Sequence, residues 1–351
     1  MIGNKVATTN IDAKWMQWIK DNLERGSHVA ELGQIIADNF GISVAKAATV
    51  VDKARTWQPA MADPKSASVR QTSNSSHSNN SQMLRRDWMM RSLDTMQRLN
   101  PDYSNIPKVD VPSFNDFVTH YYSQNRPVLL NKAFTHWPAA HWTPESIAKV
   151  GGDKSIEVQV NRDSNPRFEM DSLKHKQQMP FSDYHHKVIT TDSSNDFYMT
   201  ANNAQRNQAA LAPLFADIKN IGDDYFDPTQ HSKRSFIWYG PKGNYTPLHH
   251  DETNNMFLQV YGRKRFFLVP PLQTPYLYNH TAVFSPVDLR SIDATKFPMA
   301  KQATPIELVL EPGDTLFIPL GWWHQVESLD VSISITMTNF NITNYFPVDS
   351  N

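Results

Sequence analysis

The sequence contains no cysteine among its 351 residues. This absence excludes disulfide bonds, thiolate metal sites and cysteine nucleophiles from any account of its structure or chemistry. It is also typical of proteins in a reducing compartment, and we therefore predict a cytoplasmic location.

Long apolar runs and a strong net charge are absent as well. No N-terminal stretch resembles a signal peptide, and nowhere do eighteen apolar residues follow one another, so we expect a soluble protein with no membrane partner. The formal net charge is −1 and the isoelectric point is about 6.9. Without a global basic field, nucleic acid is not expected as a partner.

What is present divides the chain into three predicted parts. Residues 1–57 predict a small helical module, because apolar side chains recur at helical spacing in three stretches separated by Gly26 and Gly41. Residues 58–82 are rich in Ser and Asn and predict a flexible linker with too little apolar surface to fold. Residues 83–351 predict the main domain, and a hydrophobic content of 40% is enough to form its core.

The helical module permits more than one interpretation. It is either a packing module through which the chain forms a homodimer, or a docking module that holds a peptide on Trp15 and Trp18. A purely regulatory role is a third possibility. After the linker, residues 83–99 predict an amphipathic helix, and we expect its apolar face to dock on the main domain. The residues of this face are Leu84, Trp88, Met89, Leu93, Met96 and Leu99.

Two histidines and one aspartate form a candidate metal site. As a β-strand, residues 245–255 place His249 and Asp251 on one face and His250 on the other. A third ligand must come from another strand, and His324 is the candidate. Two His and one carboxylate leave three open positions, the arrangement of non-haem Fe(II) oxygenases. The His-x-Asp spacing alone is a weak signal, and the strand patterns around it are what strengthen it.

Several segments around this site carry a resemblance to a known family. They are Thr246-Pro-Leu-His-His-Asp-Glu252, Gly262-Arg-Lys-Arg265, Pro312-Gly-Asp314 and Trp322-Trp-His324. Through them the chain resembles the JmjC, or cupin-like, family of Fe(II)- and 2-oxoglutarate-dependent oxygenases. It is particularly similar to the asparaginyl hydroxylase that represses hypoxia-inducible factor. The resemblance implies a mainly β fold, a double-stranded β-helix of the jelly-roll type with flanking helices and a barrel core at about 196–346.

The resemblance also implies the roles of individual residues. Fe(II) is then held by the three ligands named above. Lys264 takes the position that pairs with the far carboxylate of 2-oxoglutarate, and Tyr198 and Thr246 take those that hydrogen-bond the same carboxylate. Asn255 and Asn339 match amides that line the cosubstrate pocket. Without the resemblance, Lys264 is interpreted as a surface charge, because it lies between Arg263 and Arg265 in a basic run.

The function implied is hydroxylation of an amino-acid side chain in a protein or peptide, with 2-oxoglutarate converted to succinate and CO2. A small amino acid, a natural product or a modified tRNA base is the alternative substrate, and methyl-lysine demethylation is a further one. A non-catalytic cupin that binds metal is the alternative from another class. We expect the segments 161–196 and 201–234 to select the substrate, and we interpret the first as a covering loop.

Overall fold

The computed structural model describes residues 11, 13–24, 29–40, 42–57, 73–222, 224–279 and 281–346. The α-helices are α1 Ala13–Glu24, α2 Val29–Phe40, α3 Val44–Ala54, α4 Ser73–Gln97, α5 Phe114–Phe117, α6 Pro144–Gly151, α7 Phe181–Thr190, α8 Ala204–Ala210, α9 Ala212–Phe215 and α10 His231–Arg234. The strands are β1 Lys108–Asp110, β2 Val128–Asn131, β3 Ser155–Gln159, β4 Lys176–Pro180, β5 Ser235–Gly240, β6 Tyr245–His250, β7 Asn255–Tyr261, β8 Lys264–Val269, β9 Ile306–Leu310, β10 Thr315–Ile318, β11 Trp323–Ser328 and β12 Ser332–Met337.

Eight of these strands form two antiparallel sheets that alternate along the chain. One sheet has the order β10-β7-β12-β5 and is extended by β2 and β1, and the other has the order β6-β11-β8-β9. Each successive strand from β5 to β8 crosses to the opposite sheet, and β9 to β12 do the same. This is the double-stranded β-helix that the resemblance implies.

Three apolar clusters hold this barrel together. The largest covers the outer face of the β5-containing sheet with the helices and loops that precede it, and includes Phe117, Trp137 and Tyr184. A second covers the outer face of the other sheet and includes Trp323. A third fills one end of the space between the sheets, where Phe266 lies. The other end of that space is left for the cavity described below.

The turn between β7 and β8 depends on one glycine. Gly262 has φ +66°, and a Cβ atom there would lie 2.1 Å from the carbonyl oxygen of Val331. A side chain therefore fits neither the backbone conformation nor the space. The turn fixes where β8 begins, and its first residue is Lys264.

The predicted barrel limits need correction. The eight barrel strands span 235–337 rather than about 196–346, because 201–234 is mostly short helix. At the start of the predicted core, residues 196–200 form only single bridges, made by Tyr198 and Met199. The segment 161–196 is not a continuous loop, since it contains β4 and α7.

The N-terminal module consists of three helices, as predicted. Its apolar cluster is formed by residues of α1–α3 and their ends, with Ile19, Ile36 and Val51 fully buried. Ser43 caps α3 by accepting a hydrogen bond from the backbone N–H of Lys46. The two glycines predicted to separate the helices, Gly26 and Gly41, lie outside the described residues.

The helix after the linker differs from the prediction in two ways. It begins at Ser73, so the last ten residues of the predicted linker are helical, while 58–72 lie outside the described residues. It also docks through polar groups. Asp94 is buried beside the segment 271–276, where Gln273 donates to it at 3.0 Å and Arg98 pairs with it at 2.7 Å. The predicted apolar face is exposed instead, with Trp88 65% accessible.

Within the described part of the chain, no helix is both long and apolar enough to cross a bilayer.

Removing the module should leave the barrel intact. A chain that begins at Ser73 keeps α4 and its polar anchor, and the core of α1–α3 contains no barrel residue. We expect it to melt cooperatively and to bind Mn(II) as the full chain does. The solution mass of both chains, measured by light scattering, tests the predicted homodimer, which should be lost on truncation. Aggregation of the shortened chain would show that the barrel requires the module.

Candidate active site

A cavity of about 350 Å³ opens between the two sheets. Its wall is built from the inward-facing residues of β5, β6, β7, β8, β11 and β12, because alternate side chains of each strand point into the barrel. Seven of the eight residues predicted for the site line this cavity, namely Tyr198, Thr246, His249, Asp251, Asn255, Lys264 and His324.

The three predicted metal ligands come together at one side of the cavity. Their ligand atoms all lie within 4.8 Å of one another. Asp251 is at the centre, with one carboxylate oxygen 4.0 Å from His249 Nε2 and the other 3.9 Å from His324 Nε2. His249 and His324 face each other on the paired strands β6 and β11.

Both imidazoles are oriented for metal binding by the backbone. Nδ1 of His249 donates to the carbonyl of Pro247 at 2.8 Å, and Nδ1 of His324 donates to the carbonyl of Trp322 at 3.0 Å. These bonds place the proton on Nδ1 and leave each Nε2 lone pair directed to the common point. Burial, together with the neighbouring His324, lowers the pKa of His249, which favours the neutral form that binds a metal.

His250 lies on the other face of β6, as predicted. Its ring packs edge-on against Trp323 at 4.7 Å between centroids, and it does not line the cavity. The alternation of side chains therefore separates the two neighbouring histidines, one facing the cavity and one facing the outer apolar cluster.

A β-bulge in β6 brings Thr246 to the same face as His249. Thr246 pairs with Val326 and His249 pairs with His324, so two residues of β6 oppose one residue of β11. Strict alternation would point Thr246 away from the cavity, and the extra residue corrects its direction. The bulge falls at Pro247, which has no N–H to lose from the ladder.

Lys264 is buried at the inner end of the cavity and lacks a counter-ion. Its Nζ donates to Tyr198 Oη at 2.7 Å, and its accessibility is 1%. Among the residues that the structure describes, no carboxylate forms an ion pair with it. Burial lowers the pKa of Lys264 to about 7 and raises that of Tyr198, so the phenol remains protonated. A buried ammonium without a carboxylate predicts an anionic ligand.

Asn255 connects the metal ligands to the rest of the cavity. Its amide Nδ2 donates to Asp251 Oδ2 at 3.2 Å, which orients the carboxylate. Its Oδ1 is buried and has no hydrogen-bond partner among the described residues. This unpartnered oxygen is available to a ligand in the cavity.

Asn339 is placed differently from the prediction. It does not line the cavity, and its Nδ2 donates to the carbonyl of Asp227 at 2.9 Å and contacts His231 Nδ1 at 3.0 Å. Thr336 and Thr338 face the cavity instead, and strand alternation directs Asn339 to the opposite side. The structure therefore does not place Asn339 in the cavity wall, and its cosubstrate contact stays a prediction.

Other residues of the cavity wall were not identified from the sequence. Glu169 comes from the segment predicted as a covering loop, and Asn202 and Arg234 come from 201–234. Both segments thus contribute to the cavity wall, and their selection of the substrate stays a prediction. Their polar residues have no spacing that singles out these three. Trp238 and Phe284 belong to the apolar part of the wall.

Comparison with known proteins gives the same family as the site. A family model described as cupin-like domain matches residues 114–344. The chain is 30% identical over 244 residues to lysine-specific demethylase 8 of Xenopus tropicalis, covering 66% of this chain and 52% of that protein. It is also 30% identical to lysine-specific demethylase JMJ30 of Arabidopsis thaliana, over 64% of this chain and 52% of that one.

Two further matches are a relative with a different name and a solved structure. HSPB1-associated protein 1 of Bos taurus is 30% identical over 60% of this chain and 47% of its own length. An X-ray structure of E. coli ycfD aligns with 68% of this chain and 54% of that one, at 19% identity and a TM-score of 0.39. The chain spans about half the length of the curated relatives that it matches.

The family match covers well over half of the chain and includes every residue of the His–Asp–His cluster. The barrel topology and the cluster on β6 and β11 agree with it. This protein belongs to the cupin-like JmjC family, whose members are typically Fe(II)- and 2-oxoglutarate-dependent oxygenases.

Proposed function

We propose that the protein is an Fe(II)- and 2-oxoglutarate-dependent hydroxylase that acts on an amino-acid side chain of a protein or peptide. The observation that carries the proposal is the pairing of two features in one cavity. A His–Asp–His cluster lies on one side, and the unpaired ammonium of Lys264 lies at the inner end. The first is suited to a divalent metal and the second to a carboxylate.

The donor set fits Fe(II). Two neutral imidazoles and one carboxylate suit a divalent first-row metal. They would hold it from one side and leave the cavity side free for ligands. When bound, the metal with 2-oxoglutarate and O2 supplies the oxidising chemistry, and the protein supplies binding and orientation.

The residues around Lys264 fit the far carboxylate of 2-oxoglutarate. The ammonium supplies the charge, and the hydroxyls of Tyr198 and Thr246 supply donors in the same cavity. Asn255 holds Asp251 in position while offering a free oxygen of its own. A dicarboxylate bound at both ends would be fixed relative to the metal, and the rest of the cavity would receive the substrate.

The mouth of the cavity supports a side chain as substrate. Arg234 and Asn202 line it with a cation and an amide, Glu169 is held in its ion pair with Arg162, and Phe284 adds an apolar edge. These groups can hold a polar side chain that enters from a larger molecule. The curated relatives named above include demethylases of lysine, which supports a polypeptide substrate.

Mass spectrometry tests the proposal directly. The protein is incubated with Fe(II), O2 and 2-oxoglutarate, first alone and then with synthetic peptides, tRNA fragments and free amino acids. We expect slow succinate formation without substrate and a gain of one oxygen atom in a peptide. A product that is a free amino acid or a tRNA base would replace the polypeptide substrate with the alternative. Bound metal with no succinate in any mixture would identify a non-catalytic cupin.

The affinity for 2-oxoglutarate should fall as the pH rises above about 7. The pKa of Lys264 in the free protein is about 7, whereas its charged form is the one that binds a carboxylate. Binding above that pH must therefore take up a proton, and the apparent affinity should weaken by up to about tenfold per pH unit. Below pH 7, Lys264 is already protonated in the free protein, so it adds no pH dependence to the affinity for 2-oxoglutarate.

Calorimetry with Mn(II) in place of Fe(II) measures this dependence without turnover. Lys264→Arg is the matched control. Because a guanidinium stays charged throughout this pH range, the affinity of the variant for 2-oxoglutarate should not depend on the pH. An equally steep profile in that variant would assign the pH dependence to another group.

A further inference from the structure

A second depression adjoins the cavity on its outer side. It has a volume of about 290 Å³, and it shares Glu169 and Phe284 with the cavity. We call it the flanking pocket. Its other lining residues include Pro166, Arg167, Met170, Pro247, Pro286 and Lys296. A molecule that fills the cavity and continues outward past Phe284 would enter the flanking pocket.

The two carboxylates in the wall of the flanking pocket are already neutralised. Glu169 pairs at 3.0 Å with Arg162, and both side chains are buried. Arg162 also donates to the carbonyl of Tyr245 at 2.8 Å, which holds this pair against β6. Asp288 pairs at 2.7 Å with Arg290. Neither carboxylate offers a free negative charge to a ligand.

The two cations of the flanking pocket have no such partners. Arg167 and Lys296 are exposed, and within the described parts of the chain neither is in an ion pair. Asp171 interacts electrostatically with Arg167, and Asp293 with Lys296, but both carboxylates have closer partners. Asp171 pairs with Lys174 at 3.1 Å, and Asp293 accepts hydrogen bonds within its own turn. Among the described residues, the wall of the flanking pocket therefore carries two cations that are not in ion pairs.

Recognition in the flanking pocket must use side chains rather than strand pairing. The neighbouring edge of β6 is closed, because the N–H of Tyr245 donates to Asn195 Oδ1 and its carbonyl accepts from Arg162. Pro247 has no N–H, and His250 donates its N–H to the carbonyl of Val283. An added peptide strand would find few free backbone groups there.

We propose that the flanking pocket binds an acidic side chain of the polypeptide substrate, close in sequence to the residue that enters the cavity. The inference rests on the proposed function, since it assumes a polypeptide substrate. It adds a sequence preference that the metal site and Lys264 do not require. Arg167 and Lys296 become the residues that determine this preference.

Synthetic peptides can test the preference without knowledge of the natural substrate. Each peptide carries one central Asn, Asp, His, Arg or Lys in an Ala–Ser background. A single Glu or, in the matched peptide, Gln is placed at each of the four positions on either side. Hydroxylation is measured by mass spectrometry. We expect at least one position where Glu lowers KM by roughly three- to tenfold relative to Gln with kcat unchanged, as expected for partly exposed ion pairs.

The protein variants complete the test. Arg167→Glu with Lys296→Glu should reverse the preference, so that a Lys peptide is favoured over the Glu peptide. Lys149→Glu with Arg206→Glu, two exposed cations of α6 and α8, should leave it unchanged. Succinate formation without peptide should be equal in all variants.

The possible failures are distinguishable. Hydroxylated peptides with no preference for Glu, or a preference that survives the double charge reversal, would overturn the role of the flanking pocket and leave the proposed function standing. Peptide-independent succinate formation with no hydroxylation of any peptide would count against a polypeptide substrate, and the inference would fall with it.

Discussion

Replacing Lys264 by methionine should stabilise the ligand-free protein and abolish its binding of 2-oxoglutarate. In the free protein the ammonium is buried with one hydroxyl partner and no counter-ion. Methionine has a similar length and no charge to desolvate, so we expect the free energy of unfolding near pH 7 to rise by about 1–4 kcal/mol. The loss of a charge-assisted contact to a carboxylate should cost about 2–5 kcal/mol of binding free energy.

The pH dependence of this stability gain is a further part of the prediction. The folded-state pKa of Lys264 is lowered to about 7, below the usual value for lysine. Lys264 therefore lowers the free energy of unfolding by its full amount below pH 7. This effect diminishes as the pH rises toward the unfolded-state pKa. The advantage of the methionine variant should be largest at or below pH 7 and should disappear near pH 10.

Chemical denaturation across this range and calorimetry with 2-oxoglutarate measure the two effects. Lys149→Met, at an exposed position on α6, is the control and should change neither quantity. A variant at Lys264 that binds 2-oxoglutarate normally would remove this lysine from the cosubstrate site. A destabilised variant that still fails to bind would instead indicate a packing role.

Part of the metal cluster could be predicted from the sequence because two of its ligands, His249 and Asp251, follow a short-range rule. Alternation along one strand separates His249 from His250, and the structure agrees. The same rule applied to Thr246 would fail without the bulge at Pro247, and a bulge has no spacing that reveals it in a sequence. Thr246 was placed in the cavity by resemblance alone.

Lys264 and Asn339 are two residues whose placement could not be predicted from the sequence pattern. The position of Lys264 between two arginines predicts a surface charge. In the structure it is buried as the first residue of β8. Asn339 follows a strand of alternating small and apolar residues, which predicts a lined cavity but not which of Thr338 and Asn339 faces it. One residue of register decides the face of the strand.

The face by which α4 docks could not be predicted from its hydrophobic pattern. Periodicity predicts burial of Trp88, Met89 and Met96, yet these residues are exposed and the helix is held through Asp94. The contact depends on Gln273 and Tyr103, which lie far apart in sequence from each other. A buried polar contact of this kind leaves no periodic signal along the helix.

The last prediction concerns the metal ligands themselves. His249→Ala and Asp251→Ala should each lower the affinity for Fe(II) or Mn(II) by more than about a hundredfold, because changes outside the ligand set alone cost 10–100-fold. Asn255→Ala removes the hydrogen bond to Asp251 but no metal ligand, so its metal affinity should fall between that of these variants and that of the unmodified protein. His250→Ala is the matched control, and it should keep the metal, because its ring faces Trp323 outside the cavity. Metal content after dialysis and the shift in melting temperature on adding Mn(II) provide readouts that do not depend on turnover. Loss of metal in His250→Ala with retention in His249→Ala would mean that the opposite face of β6 carries the metal site.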